Sequence, residues 1–202
     1  LTLSSAARSY CAALNALTSP NNGTAVATTK PPLIVSSSSS SSSTASNADS
    51  ARFVVNNGGI YKINAAVTNA YFIAVGNYKA GSEIQVLQGA PRLPNFVGGN
   101  VTWNTTAVGT ASIVQQASNT INGNFNIMAG QFNNGTGGTA RSLTVNGNLT
   151  VSGGEYDVNG NVSGTSASQT LTINGNLTVT GGKLYPTIST NGGSGTINIS
   201  GN

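Results

Sequence analysis

The feature that most restricts the fold of this chain is a repeat. Residues 141–154 read RSLTVNGNLTVSGG and residues 169–182 read QTLTINGNLTVTGG, identical at ten of fourteen positions with an offset of 28. Residues 120–130, TINGNFNIMAG, are a weaker copy at offset 24, and residues 197–202 begin a further one at offset 26. A unit of roughly 20–50 residues that recurs in this way predicts stacked supersecondary units.

Two geometries compete for each unit. Asn146-Gly147 suits a two-residue hairpin turn, but that turn sets Val145 opposite Asn148 and Thr144 opposite Leu149, apolar against polar at each rung. Residues 143–151 as one extended, Gly-kinked strand put Leu143, Val145, Gly147, Leu149 and Val151 on one face and Thr144, Asn146, Asn148 and Thr150 on the other. The second pattern is clean, and Gly153-Gly154 then turns the chain. The expected fold class is all-β, a parallel β-helix (solenoid) in the C-terminal half, with coils about 4.8 Å apart. Phe125, Leu149 and Leu177 form one inward column in this reading, and Phe132, Tyr156 and Leu184 another.

Composition agrees with a narrow tube. Gly, Asn, Ser and Thr account for 102 of the 202 residues, and only 12 residues are charged. Gly serves tight turns, neutral Asn and Thr stack on themselves, and like charges repeated at each rung are penalised. The chain has no His, one Cys (Cys11) and four acids. Imidazole-based catalysis, His-ligated metals and thiolate clusters are therefore excluded, and the expectation is no catalytic residue, no metal and no cofactor. The net charge of +4 comes from singly scattered Lys and Arg residues, so nucleic acid is not an expected partner. No apolar run approaches the roughly 20 residues of a membrane span.

The units LTVNGNLTVSGG at 143–154 and LTINGNLTVTGG at 171–182 resemble those of bacterial β-strand-repeat, adhesin- and haemagglutinin-like surface proteins. The resemblance covers about residues 118–202. It implies secretion and a fibrous or adhesive role at the cell surface.

The N-terminal half reads differently. Leu3, Ala7, Tyr10, Leu14 and Leu17 predict one amphipathic helix, either packed on the next element or serving as a polymerisation arm. Leu33-Ile34-Val35 precedes eight serines, residues 36–43, which predict a flexible linker or mobile loop. The segment is an inert spacer, an O-glycosylated stretch, or a tether that lets the Leu33–Val35 strand complete another subunit's sheet. From 51 to 90, Phe53-Val54-Val55 and Ile60-Tyr61-Lys62-Ile63 flank the turn signal Asn56-Asn57-Gly58-Gly59, and further short strands follow. They suit a sandwich, a barrel or the first turns of a solenoid. The expected division is 1–50 for helix and Ser linker, 51–95 for a smaller β region, and 96–202 for the β-helix. Leu1 in place of Met suggests a mature or trimmed chain, and the interrupted repeat suggests one that continues or assembles beyond 202.

Glu155 and Asp157 point to one side of a strand, about 6.8 Å apart. Such a pair could serve a glycosidase or hold Ca²⁺. At offset 28, however, Glu155 meets Lys183, which predicts a structural rung ion pair instead. Trp103, Tyr61, Tyr71, Tyr78, Tyr156 and Tyr185 are read as core or rim. Eight Asn-X-Ser/Thr triplets, at Asn22, Asn100, Asn104, Asn134, Asn148, Asn161, Asn176 and Asn198, are candidate glycosylation sites. The functional expectation is an extracellular structural protein, a homo-oligomeric filament subunit or adhesin. Glycans or neighbouring surfaces are its possible partners, and a polysaccharide-binding or -degrading β-helix protein, including a viral tail-spike-like one, is the rival.

Overall fold

The computed structural model describes residues 25–27, 33–35, 53–64, 77–91, 93, 96–105, 118–134, 139–160, 167–188 and 192–202. The predicted helix and the Ser run at 36–43 lie outside the described residues. The described residues contain strands and no helix, so none that could cross a membrane. The first strands are β1 (Ala25–Ala27), β2 (Leu33–Val35), β3 (Phe53–Val55), β4 (Ile60–Ile63), β5 (Asn77–Tyr78) and β6 (Glu83–Val86). Next come β7 (Phe96–Val97), β8 (Asn100–Asn104), β9 (Ser118–Ile121), β10 (Phe125–Ala129), β11 (Gln131–Asn133) and β12 (Arg141–Val145). The last are β13 (Leu149–Val151), β14 (Glu155–Asn159), β15 (Gln169–Ile173), β16 (Leu177–Val179), β17 (Lys183–Thr187) and β18 (Gly195–Ile199).

Every pairing among these strands is parallel, which makes the chain a β-solenoid. Each C-terminal coil gives one strand to each of three sheets, as β12, β13 and β14 do. One sheet runs β16-β13-β10-β8-β6-β4-β2, a second β18-β15-β12-β9-β7, and a third β11-β14-β17. β1-β3-β5 form a shorter sheet whose strands precede β2, β4 and β6 in their coils.

The alternation in the repeat survives as predicted, but its single long strand does not. Leu143, Val145, Leu149 and Val151 are all buried, while Asn146 and Asn148 are exposed. β12 and β13 belong to different sheets, and Asn146-Gly147-Asn148 is the corner between them. The bend closes the tube, because a straight nine-residue strand would leave one flat sheet with no second layer to bury its apolar face. The corner is held from coil to coil. Gly147 N–H donates to Gly123 O at 3.1 Å, and Gly175 N–H donates to Gly147 O at 3.1 Å. A methyl group on Gly147 would sit 2.6 Å from Gly123 O and 2.6 Å from Asn124 Oδ1, so close stacking requires glycine there.

The solenoid reaches further towards the N-terminus than the visible repeat. β4 and β6 stack in register below β8, which selects solenoid turns over the sandwich and barrel alternatives for this segment. Asn56-Asn57-Gly58-Gly59 turns the chain as expected, but from one sheet to another instead of into a hairpin. Leu33–Val35 pairs in parallel with β4 of its own chain. Register pairs run Tyr61 to Ile84, Val101, Phe125, Leu149 and Leu177, so successive coils advance by 23, 17, 24, 24 and 28 residues. The short N-terminal coils and their diverged sequences hide the period from a search by identity.

Both predicted inward columns form: Phe125–Leu149–Leu177 and Phe132–Tyr156–Leu184. Phe132 is the centre of an aromatic cluster. Its ring lies edge-on to Phe125, Tyr156 and Trp103 at 4.6, 5.0 and 5.3 Å between centroids. Trp103, Tyr61, Tyr78 and Tyr156 are buried in the core and Tyr185 is exposed at the rim, while Tyr71 lies outside the described residues.

Candidate functional site

The chemistry-bearing residues gather where the third sheet begins. Gln131, Glu155 and Lys183 open β11, β14 and β17, and they pair in register from coil to coil. Each follows a glycine corner: Gly130, Gly153-Gly154 and Gly181-Gly182. A methyl group on Gly154 would come within 2.7 Å of both Gly130 O and Ile127 Cγ2, so these corners carry no side chains. The result is a glycine-floored surface groove of ≈ 420 Å³, lined by Gln131, Glu155 and Lys183.

The predicted ion pair is present: Lys183 Nζ lies 3.9 Å from Glu155 Oε2. The contact is long and the lysine side chain is 65% exposed, so it contributes little to stability. A closer partner was not foreseen. Gln131 Nε2 donates to Glu155 Oε1 at 2.9 Å and to Asp157 Oδ2 at 2.6 Å, tying the two carboxylates together. Its signal was the weak copy at offset 24, which places Gln131 one rung below Glu155.

Asp157 also differs from the sequence expectation. Alternation puts it on the outward face, opposite Tyr156, yet it is fully buried. Burial raises its pKa from 3.8 to about 6, the hydrogen bond from Gln131 opposes that rise, and the Glu155 charge adds to it. Asp157 Oδ1 has no hydrogen-bond partner. On the inner side, Tyr156 OH donates to Asn134 Oδ1 at 2.7 Å, and burial holds the phenol well above its usual pKa.

The glycosylation candidates separate by geometry. Asn134 is buried with its amide bonded to Tyr156 and Thr170, so the folded chain has no room for a glycan there, contrary to its place among the candidates. Asn100, Asn148 and Asn176 each accept a backbone N–H from the next coil, at 2.8, 2.9 and 3.0 Å. Asn104 and Asn198 are exposed, and Asn22 and Asn161 lie outside the described residues. No three His, Cys, Asp or Glu side chains come together among the described residues.

Fold and site define a class, the parallel β-solenoid with neutral stacked rungs. No protein-family model matches the chain, and neither a curated protein nor a solved structure is found that does.

Proposed function

We propose that this protein is an extracellular structural protein, a rod-like subunit of a cell-surface filament or adhesin rather than an enzyme. One observation carries the reading: from Asn100 onward, the corner asparagines of one coil are taken up by the next. Asn122, Asn146 and Asn174 join side chain to side chain at 2.8 and 2.7 Å, beside the Asn ladder through Asn100, Asn124, Asn148 and Asn176. Hydrogen bonding of this kind serves lengthwise stacking and leaves few converging groups for chemistry. Parallel strand edges at the ends of a solenoid favour head-to-tail association, which is heterologous and propagates. Secretion and cell-surface location follow from the resemblance of 143–154 and 171–182 to adhesin repeats. Negative-stain microscopy of the purified chain tests the reading. Fibres or end-to-end rods are expected, and dispersed particles at high concentration would refute self-assembly.

A polysaccharide-binding role is the second reading, drawn from the groove lined by Gln131, Glu155 and Lys183. Retention on a glycan array by the wild type, lost in Glu155→Ala and Lys183→Ala, would favour it. Hydrolysis is the weaker form, because one of its two carboxylates is buried.

A further inference from the structure

The outer face of the second sheet is a regular, uncharged lattice. One outward column runs Phe96, Thr120, Thr144, Thr172 and Asn198, in register along β7, β9, β12, β15 and β18. Ser142, Thr170 and Thr196 flank it on one side, and the corner residues Asn122, Asn146 and Asn174 on the other. The rungs stay in step about 4.8 Å apart, whereas the first sheet slips register between Ile127 and Ala129. Arg141 is the one charged residue in these five strands, and it falls in the inward phase with Leu143 and Val145. The lattice is also stiff. Its β-branched threonines hold few rotamers, and the side chains of Asn122, Asn146 and Asn174 are bonded to one another. At its N-terminal end stands Phe96, 56% exposed, more than any other large apolar side chain among the described residues.

We propose that this face binds a neutral, linear polysaccharide lying along the solenoid axis. Phe96 stacks on one sugar ring, and the Thr and Asn columns hydrogen-bond to the hydroxyls of the rings that follow. Three properties of the face select this ligand. Its period calls for a partner that repeats at a similar step, and the hexoses of an extended chain recur at nearly one per rung. Its lack of charge removes the attraction that an acidic polymer or a nucleic acid would need. An exposed ring beside hydroxyl and amide groups matches the C–H face and rim hydroxyls of a pyranose, whereas a protein partner would need a larger apolar centre than one ring. Groups already held in place lose little freedom on binding. The threonines are visible in the sequence as alternation, but Phe96 joins their column only through its register with Thr120. The inference goes beyond the groove reading, because it puts the sugar on a different sheet without Glu155 or Lys183, and it does not depend on filament formation.

The test uses the 202-residue chain with solid cellulose and chitin, retention being corrected for protein that sediments alone. Retention on both polymers is expected, and it should persist at high salt because no ion pair is involved. Phe96→Ala should weaken it about tenfold, the loss of one stacked ring. The double variant Thr144→Val/Thr172→Val keeps the β-branching, removes two hydroxyls, and should weaken it about fivefold or more. Both variants should melt like the wild type. Lys183→Ala, in the groove of the third sheet, should bind as the wild type does. No retention of the wild type, its loss at high salt, or undiminished retention of both face variants would overturn the proposal. Loss in Lys183→Ala with retention intact in Phe96→Ala would also overturn it, and would place the sugar in the groove. A change in particle size without a change in retention would assign the face to contacts between copies, and so overturn it as well.

Discussion

Asn148 Oδ1 accepts the backbone N–H of Asn176 at 2.9 Å, one coil further along the axis. The same bond links Asn100 to Asn124, Asn124 to Asn148, and Asn176 to Asn202. An exposed asparagine is ordinarily replaceable, but this one accepts the corner N–H of the coil stacked on it. Asn148→Ala is expected to lower unfolding stability by about 1 kcal/mol. Asn148→Asp retains the acceptor and should lose less at neutral pH. Urea titration of both variants checks the order, and equal losses would mean that the Oδ1 bond is immaterial.

Gly147 owes its identity to the coil beneath it. With Gly123 O and Asn124 Oδ1 each 2.6 Å from an added methyl, Gly147→Ala must push two coils apart. A loss of about 1–3 kcal/mol is expected, as for overpacking in a core. Ser152→Ala, exposed at the next corner, should stay within about 0.5 kcal/mol. Thermal melts that rank the two alike would count against steric stacking as the reason for glycine.

Lys183 and Glu155 form a long, solvent-screened contact. Lys183→Ala should therefore shift stability by no more than about 0.5 kcal/mol. Lys183→Glu sets a like charge one rung from Glu155 and should lower Tm further at low ionic strength, with recovery in salt. A salt-independent Tm in Lys183→Glu would rule out charge repulsion.

Asp157 makes stability depend on pH in the direction opposite to most carboxylates. Its folded pKa, about 6, lies above the 3.8 of the unfolded chain, so the folded state binds the proton more tightly. The stabilisation is complete below the unfolded pKa and is lost as pH rises through about 6. The protein should be more stable near pH 4 than at pH 7, by roughly 3 kcal/mol at most. Asp157→Asn should flatten this profile. A wild-type chain that gains stability between pH 4 and 7 would contradict the buried acid.

Leu149 stacks between Phe125 and Leu177 and is fully buried. Leu149→Ala is expected to cost about 2–5 kcal/mol. Leu177→Ala, at a partly exposed position, should cost less. Denaturant midpoints that reverse this order would argue against the stacked column.

The C-terminal coils were legible because their information is local. Leu143, Val145, Leu149 and Val151 alternate with Thr and Asn, and a period of two fixes which side chains turn inward without knowledge of the rest of the chain. The offset of 28 likewise set Glu155 beside Lys183, and the structure keeps that register. β4 and β6 were legible as short strands, with solenoid turns only one of three alternatives, because their spacings of 23 and 17 residues carry no repeated words.

By itself, then, the sequence determined the repeat, the inward faces, the parallel stacking and the neutral ladders. Only the tertiary structure decided that Asn146-Gly147-Asn148 is a corner between two sheets and that Asp157, on an outward position, is buried beside Gln131 and Asn133. Alternation specifies a side of the backbone, whereas the direction of a bend and the covering of an outer face arise from coil-on-coil contacts between residues 24 to 28 apart. Such contacts exist only once the chain has closed its tube.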